Sequence, residues 1–218
     1  MGRFARVVLP GVPLHVTHRG NRQGNVFFDD WDRQAYLERF IADSDRFGLA
    51  LWAFCLMGNH VHWLVVPRDD QSLARTIQNA HRAHAVRINL RHDWVGHLWA
   101  NRYFSTVLDE RHLWSAVRYV ECNPVRAGIV PRAEDYRWSS ARAHSGWQAE
   151  WRLAGDRPFP GPIPDWAGWL AERSDAAAET LLRKNSRTGR PTGSRQFIGK
   201  LECELNRSLA KRGQVTLR

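Results

Sequence analysis

The sequence has little cysteine and no long hydrophobic run. Its three cysteines, Cys55, Cys122 and Cys203, lie far apart and never form a C-x-x-C pair. Neither a disulfide framework nor a thiolate zinc site is indicated, so we expect a reducing compartment. The longest apolar run, residues 49–57, is too short to span a bilayer, and the N-terminus has no apolar signal core. These absences favour a cytoplasmic protein with no membrane partner.

Acidic residues are scarce relative to basic ones. The 218 residues include 32 Lys and Arg against 22 Asp and Glu, which gives a net charge of +10. Residues 183–218 carry +8 of this charge, so the rest of the chain is nearly neutral. A basic tail suits a polyanion, because neutralised phosphates release condensed counterions on binding. Charge alone supports two interpretations about equally, a tail that binds nucleic acid and a tail that is merely solvated.

The hydrophobic pattern predicts alternating strands and helices over the first two-thirds of the chain. Strands are predicted over 14–19, 49–57, 61–66 and 99–108, with helices over 30–47, 72–91 and 109–122. Asp30 and Ser72 are the predicted caps of the first two helices. The order β-α-β-β-α-β is that of a ferredoxin-like α+β fold, with a single antiparallel sheet and helices on one face.

The composition of the sequence changes after these predicted strands and helices. Residues 146–164 are rich in Pro and Gly and predict a linker, which leaves residues 1–145 as the main domain. Helices over 165–183 and 194–209 would then form a basic helical extension over residues 165–218. The length suits one compact domain with such an extension.

Two histidines open the strand that follows the predicted Gly58-Asn59 turn. His60 and His62 are separated by one apolar residue, and side chains at i and i+2 leave the same face of a strand. Both rings can therefore offer a nitrogen to one cation, which makes a two-point metal clamp feasible. An isolated H-x-H is more often structural, so the spacing leaves both roles open, while the adjacent turn favours a site.

A second segment, residues 112–128, places Tyr119 and Asn123 on one face of a predicted helix. The apolar stripe of that helix consists of Leu113, Ala116, Val117 and Val120. Tyr119 lies about 110° from the centre of this stripe, at 100° per residue. Asn123 follows four residues later, so a hydroxyl and an amide oxygen can converge on one point. Periodicity alone favours a simpler alternative, an amphipathic surface tyrosine and an asparagine that caps the helix.

At these residues the sequence resembles the REP-associated tyrosine transposases, a branch of the bacterial single-tyrosine HUH transposases. The HUH motif of that family matches His60-Val61-His62, within a longer match over residues 58–65. The nucleophile-helix motif, Arg-Tyr-x-x-x-Asn-Pro-Val-Arg-Ala-Gly, matches residues 118–128. Shorter similarities at 18–21, 136–140 and 189–194 extend the resemblance over nearly the whole chain. Two departures, Cys122 and Thr192, touch no catalytic group.

The resemblance implies the same single-sheet α+β fold and a set of site residues. It assigns Tyr119 as the nucleophile, His60 and His62 as metal ligands, and Asn123 as a third ligand. The expected metal is Mg²⁺ or Mn²⁺. The implied enzyme is an endonuclease and strand transferase that cleaves and rejoins single-stranded DNA at hairpin-forming palindromic repeats, through a 5′-phosphotyrosine intermediate. It would work near the bacterial nucleoid, with a monomer slightly favoured over a homodimer.

The basic extension is expected to contact the DNA hairpin. Arg190, Arg195 and Lys200 are the predicted phosphate contacts, with ordinary surface charge as the alternative. Two other classes of function remain. One is a catalytically silent DNA- or RNA-binding regulator of the same fold. The other is a zinc hydrolase, although no H-E-x-x-H helix supports it.

Overall fold

The computed structural model describes residues 5–147, 151–154, 163–172 and 175–209. Four strands form one antiparallel sheet in the order β2-β3-β1-β4: β1 (Leu14–Arg19), β2 (Leu49–Leu56), β3 (His60–Pro67) and β4 (Phe104–Val107). The first three helices are α1 (Asp30–Phe47), α2 (Ser72–His92) and α3 (Glu110–Glu121). The order β1-α1-β2-β3-α2-β4 confirms the predicted α+β fold with a single antiparallel sheet.

Helices α1 and α2 cover one face of the sheet. Val61 and Trp63 of β3 point to this face and are buried, as their alternation with the histidines predicts. The Trp63 ring stacks on Phe40 of α1, with ring centroids 3.7 Å apart. The cap of α1 is Asp29 and not the predicted Asp30, because the extended Asp29 accepts a hydrogen bond from the backbone N–H of Asp32.

The predicted cap of α2 also differs from the observed one. Ser72 is the first helical residue, and the carboxylate of Asp69 accepts hydrogen bonds from the backbone N–H groups of Gln71 and Ser72. Strand β4 is shorter than predicted, because residues before Phe104 leave the sheet. Among them, Trp99 forms one isolated bridge with Gly20 and stacks on His81 of α2.

The opposite face of the sheet lies under α3 and a helix from the C-terminal part of the chain. The remaining helices are α4 (Asn123–Arg126), α5 (Ala141–His144), α6 (Trp166–Ala171), α7 (Ala176–Thr188) and α8 (Arg195–Leu205). Helix α3 packs against β2 and β3, while α7 packs against β4, β1 and α3. The two histidines of β3 point to this face, so both helices lie beside them.

The C-terminal helices differ from their predicted bounds. The helix predicted over 165–183 is two helices, because Glu172 is extended and ends α6, while the carboxylate of Asp175 caps α7, which continues to Thr188. The helix predicted over 194–209 is α8, which ends at Leu205 because Asn206 adopts the left-handed conformation. Residues 148–150 and 155–162 of the predicted linker lie outside the described residues. The division into 1–145, 146–164 and 165–218 therefore stays a prediction. No helix within the described residues is long and apolar enough to cross a membrane.

Candidate active site

The structure brings together three of the residues predicted from the motifs. His60 and His62 lie at the start of β3, directly after the turn at Gly58 and Asn59, with their ring centroids 5.0 Å apart. Tyr119 of α3 reaches them from the helix above the sheet. Its ring meets the His62 ring edge-on, with centroids 5.5 Å apart. A phenol and two imidazoles from distant segments therefore share one site.

Local hydrogen bonds determine which nitrogen of His60 is protonated. The amide nitrogen of Asn59 donates to the carbonyl oxygen of Gln23, which fixes the orientation of that amide. The amide oxygen lies 2.6 Å from Nδ1 of His60 and can only accept, so Nδ1 carries the proton. The lone pair of the neutral His60 ring is then on Nε2. Asn59 marked only a turn in the sequence, but it also orients a predicted metal ligand.

A third histidine, His15 of β1, completes the cluster. Its Nε2 lies 2.9 Å from Nδ1 of His62, and the two rings are stacked with centroids 5.1 Å apart. The sequence offered one signal for it. His15 alternates with core residues of β1, so it lies on the same sheet face as His62 once β1 pairs with β3.

Burial keeps all three rings neutral at physiological pH. Loss of water around the ring lowers the pKa of His15 to about 3 and that of His60 to about 4. Burial lowers the pKa of His62 well below 6.5, and the neighbouring His15 and His60 lower it further. A neutral imidazole is the form of histidine that binds a metal ion.

The ring of Tyr119 lies between two guanidinium groups. Arg126 stands 4.3 Å and Arg183 of α7 5.4 Å from its ring centroid. Glu179, also on α7, joins both arginines, at 3.4 Å from Arg126 and 3.3 Å from Arg183. Cation–π contact holds the ring. Tyr119 is only 9% exposed because α7 covers it, which no pattern within α3 could indicate.

A buried carboxylate holds α3 in place behind the tyrosine. Glu121 is fully buried and accepts hydrogen bonds from the Ser140 hydroxyl, from Nδ1 of His144 and from the indole N–H of Trp166. These donors come from two segments, one around α5 and one at the start of α6. They fix the end of the helix that carries Tyr119, because a buried carboxylate is stable only when such donors surround it.

The histidines and the tyrosine line an open cavity of about 550 Å³. Three arginines, Arg19, Arg183 and Arg187, line it as well, and none of the described lining residues is acidic. A smaller cavity of about 80 Å³ adjoins it, shares Arg187 and adds Arg6 and Arg102. Guanidinium groups match the geometry of phosphate oxygens, so the two cavities form a surface suited to a phosphate backbone.

The other predicted site residues do not line this cavity. Asn123 begins α4, one helical turn beyond Tyr119, and its buried amide nitrogen has no hydrogen-bond partner among the described residues. Arg190 donates to the backbone oxygen of Leu209, while Arg195 and Lys200 are exposed on α8. Three arginines line the cavity instead: Arg19 lies in the short similarity at 18–21, while Arg183 and Arg187 had no signal beyond their place in the basic tail. The described residues include no group of three His, Cys, Asp or Glu side chains placed to hold a metal.

Comparison with a family of known proteins places this chain among DNA-processing enzymes. The family described as "Transposase IS200 like" matches residues 10–123, which is more than half of the chain. The chain therefore belongs to the IS200-like transposase family, and the resemblance predicted from the motifs is confirmed.

A solved structure with a TM-score above 0.5 supports the fold. A REP-associated tyrosine transposase bound to a REP hairpin superposes with a TM-score of 0.58 at 16% sequence identity, over 75% of this chain and 99% of the other. A Deinococcus radiodurans protein described as a transposase gives a TM-score of 0.38 at 17% identity, over 59% of this chain and 92% of its own. None of the curated proteins matches the chain significantly.

Proposed function

We propose that this chain is a metal-dependent endonuclease and strand transferase that acts on single-stranded DNA at hairpin-forming palindromic repeats. One observation carries the proposal. A tyrosine and two neutral histidines share a cavity with three arginines and no described acidic side chain. This combination suits a phosphodiester, because the arginines attract the phosphate and the tyrosine offers a nucleophilic oxygen.

Tyr119 is the proposed nucleophile. Its phenol oxygen would form a bond to the phosphorus while the bond from phosphorus to the 3′ oxygen breaks. The phenol proton goes to solvent, and the departing 3′ oxygen takes up a proton. The product is a 5′-phosphotyrosyl link and a free 3′-OH, so the strand can be rejoined without a nucleotide cofactor. Arg126 and Arg183 contact the ring and hold it in place.

The histidines fit a divalent metal ion. His60 and His62 each have Nδ1 engaged in a hydrogen bond, and the bonds of the described residues leave both Nε2 atoms free for a cation. The proposal of Asn123 as a third ligand rests on the motif resemblance, because Asn123 lies outside the lining of the cavity; its buried amide nitrogen has no hydrogen-bond partner among the described residues. Two imidazoles and one amide oxygen suit Mg²⁺ or Mn²⁺ under cellular supply. Such a cation would screen the phosphate charge and orient its oxygens for attack.

A DNA hairpin is the proposed partner. The structure that matches over 99% of its own length contains a REP hairpin, and this chain carries +8 of its charge in residues 183–218. The two adjoining cavities offer five arginines along one surface, Arg6, Arg19, Arg102, Arg183 and Arg187. We propose that the cleaved strand follows this surface, while Arg190, Arg195 and Lys200 contact the stem of the hairpin.

The test is covalent capture of DNA by the full chain. The protein is incubated with labelled single-stranded hairpins taken from beside its own gene, with Mg²⁺ or Mn²⁺, and separated on a denaturing gel. We expect a protein–DNA band that Tyr119→Phe abolishes while hairpin binding persists. His60→Gln should abolish the same band by removing a metal ligand.

Tyr136→Phe is the matched control. The Tyr136 hydroxyl donates to the backbone oxygen of Leu56 and lines neither cavity, so its loss should leave the covalent band intact. An undiminished band with Tyr119→Phe would refute the assignment of the nucleophile. Hairpin binding by the wild-type chain with no band under either metal would instead support the catalytically silent regulator.

A further inference from the structure

A chain of three buried side chains connects a predicted metal ligand to the C-terminal helix α7. Nδ1 of His62 lies 2.9 Å from Nε2 of His15, and Nδ1 of His15 lies 2.8 Å from the hydroxyl oxygen of Ser186. His15, His62 and Ser186 are 1%, 5% and 2% exposed, so water does not compete for these hydrogen bonds. His15 and Ser186 are 171 positions apart in the sequence.

We propose that Ser186 and His15 are positioning residues, which hold His62 in the tautomer whose Nε2 lone pair is available to a metal ion. This inference rests on the proposed function, because it assumes that His62 binds the metal. It adds two residues that do not touch the metal and gives α7 a role in building the metal site.

The tautomers of the two rings depend on each other. A neutral imidazole has one N–H, so the buried His15 ring, which lies between two hydrogen-bond partners, has a single proton to place. If Nδ1 of His15 donates to Ser186, its Nε2 must accept, and Nδ1 of His62 donates to it. The lone pair of His62 is then on Nε2. If the directions reverse, Nε2 of His62 carries the proton and cannot bind a cation.

The hydroxyl of Ser186 therefore selects the competent arrangement when it accepts from His15. A histidine that binds a metal generally donates its other N–H to an acceptor, which fixes both the tautomer and the ring orientation. His60 receives this support locally from Asn59. His62 receives it from His15, and through His15 from α7.

Several contacts hold α7 where Ser186 can act. The hydroxyl of Thr106 on β4 donates to the backbone oxygen of Arg190, and the backbone N–H of Thr192 donates to Val107 of the same strand. Glu179 joins α7 to Arg126 beside Tyr119. The segment after α7 is thus tied to the sheet edge, and Ser186 is held two residues before the end of the helix.

The test uses the full chain without DNA and has two readouts. Metal affinity is measured by titration with Mn²⁺ in a calorimeter, and the tautomer of His62 is measured by NMR on metal-free protein with ¹⁵N-labelled histidine. We expect wild-type His62 to carry its proton on Nδ1. Ser186→Ala should weaken Mn²⁺ binding by about 10-fold and shift the proton towards Nε2.

Thr180→Ala is the matched control. It removes an exposed hydroxyl from the first turns of the same helix and should change neither the Mn²⁺ affinity nor the tautomer. Wild-type His62 protonated on Nε2 would overturn the inference, and this measurement needs no variant. Unchanged affinity and tautomer in Ser186→Ala would also overturn it. Failure of wild-type protein to bind Mn²⁺, or undiminished binding by His60→Gln, would refute the metal site of the proposed function instead.

Discussion

Acid should destabilise this protein far more steeply than its net charge suggests. Five buried histidines and the half-buried His60 are held neutral in the folded chain. Burial lowers the pKa to about 3 for His15 and to about 4 for His18, His60 and His84, and well below 6.5 for His62 and His81. The unfolded chain binds these protons near pH 6.5 and the folded chain does not. Stability is therefore complete above about pH 7 and lost as the pH falls from 6.5 towards 4.

The size of the loss follows from the same linkage. At pH 5.5, one histidine that titrates at about 6.5 when unfolded, and not at all when folded, favours unfolding by about 1.4 kcal/mol. Six such rings together cost about 8 kcal/mol, against a typical total stability of about 5–15 kcal/mol. We expect urea unfolding with EDTA present to show most of the stability lost between pH 7.5 and pH 5.5.

Two variants separate this effect from general acid damage. His84→Gln removes one of the six rings on the face away from Tyr119 and keeps a donor for the carbonyl oxygen of Val26, so its acid loss should be smaller by about 1.4 kcal/mol. His97→Gln changes an exposed ring and should leave the loss unchanged. An unfolding free energy that is equal at pH 7.5 and pH 5.5 would refute the argument from buried neutral histidines.

Three further predictions concern packing and charge. Glu121→Ala removes a buried acceptor that three donors share and should lower the unfolding free energy by about 3–5 kcal/mol. Exposed Glu110→Ala should cost less than about 1 kcal/mol in the same urea titration. Trp63→Ala removes the ring stacked on Phe40 and should cost about 3–5 kcal/mol, and a loss below about 1 kcal/mol would contradict the packing. Arg187→Gln should reduce the salt dependence of hairpin binding by about one unit of log–log slope, without changing Mn²⁺ affinity.

The fold could be predicted because its signals are local. In β3, His60 and His62 alternate with the buried Val61 and Trp63, and this alternation predicts which face of the sheet each side chain of the strand points to. Gly48 ends α1 in the left-handed conformation, as its place after the helical pattern predicts. The predicted helix caps were wrong where neighbouring residues could each cap the same helix. Asp29 and Asp30 can both cap a helix, and only the backbone conformation decides between them.

Only part of the candidate site could be predicted, because some of its residues come together only through the packing of distant segments. The two histidines and the tyrosine stand in recognisable motifs, whereas Arg183 and Ser186 reach the site through packing of α7 against β4 and α3. No spacing rule connects Ser186 to His15, and nothing in its neighbours marks Ser186. The register of β1 against β3 would have placed His15 beside His62, but pairing of strands must be known before that rule applies.

Helix α7 carries residues that contact the proposed nucleophile, support the proposed metal site and line the cavities proposed to bind DNA. A variant of this helix can therefore change more than one property. Arg183 lies beside the ring of Tyr119, Ser186 bonds to His15, and Arg187 lines both cavities. A substitution here can therefore weaken DNA binding, metal binding or attack by the phenol. Adduct formation measured at saturating hairpin and saturating Mn²⁺ isolates the third effect, because it removes differences in occupancy. Under those conditions Ser186→Ala should approach the wild-type rate, since its defect is in metal affinity, while Arg183→Gln should stay slow, since its guanidinium holds the ring of Tyr119.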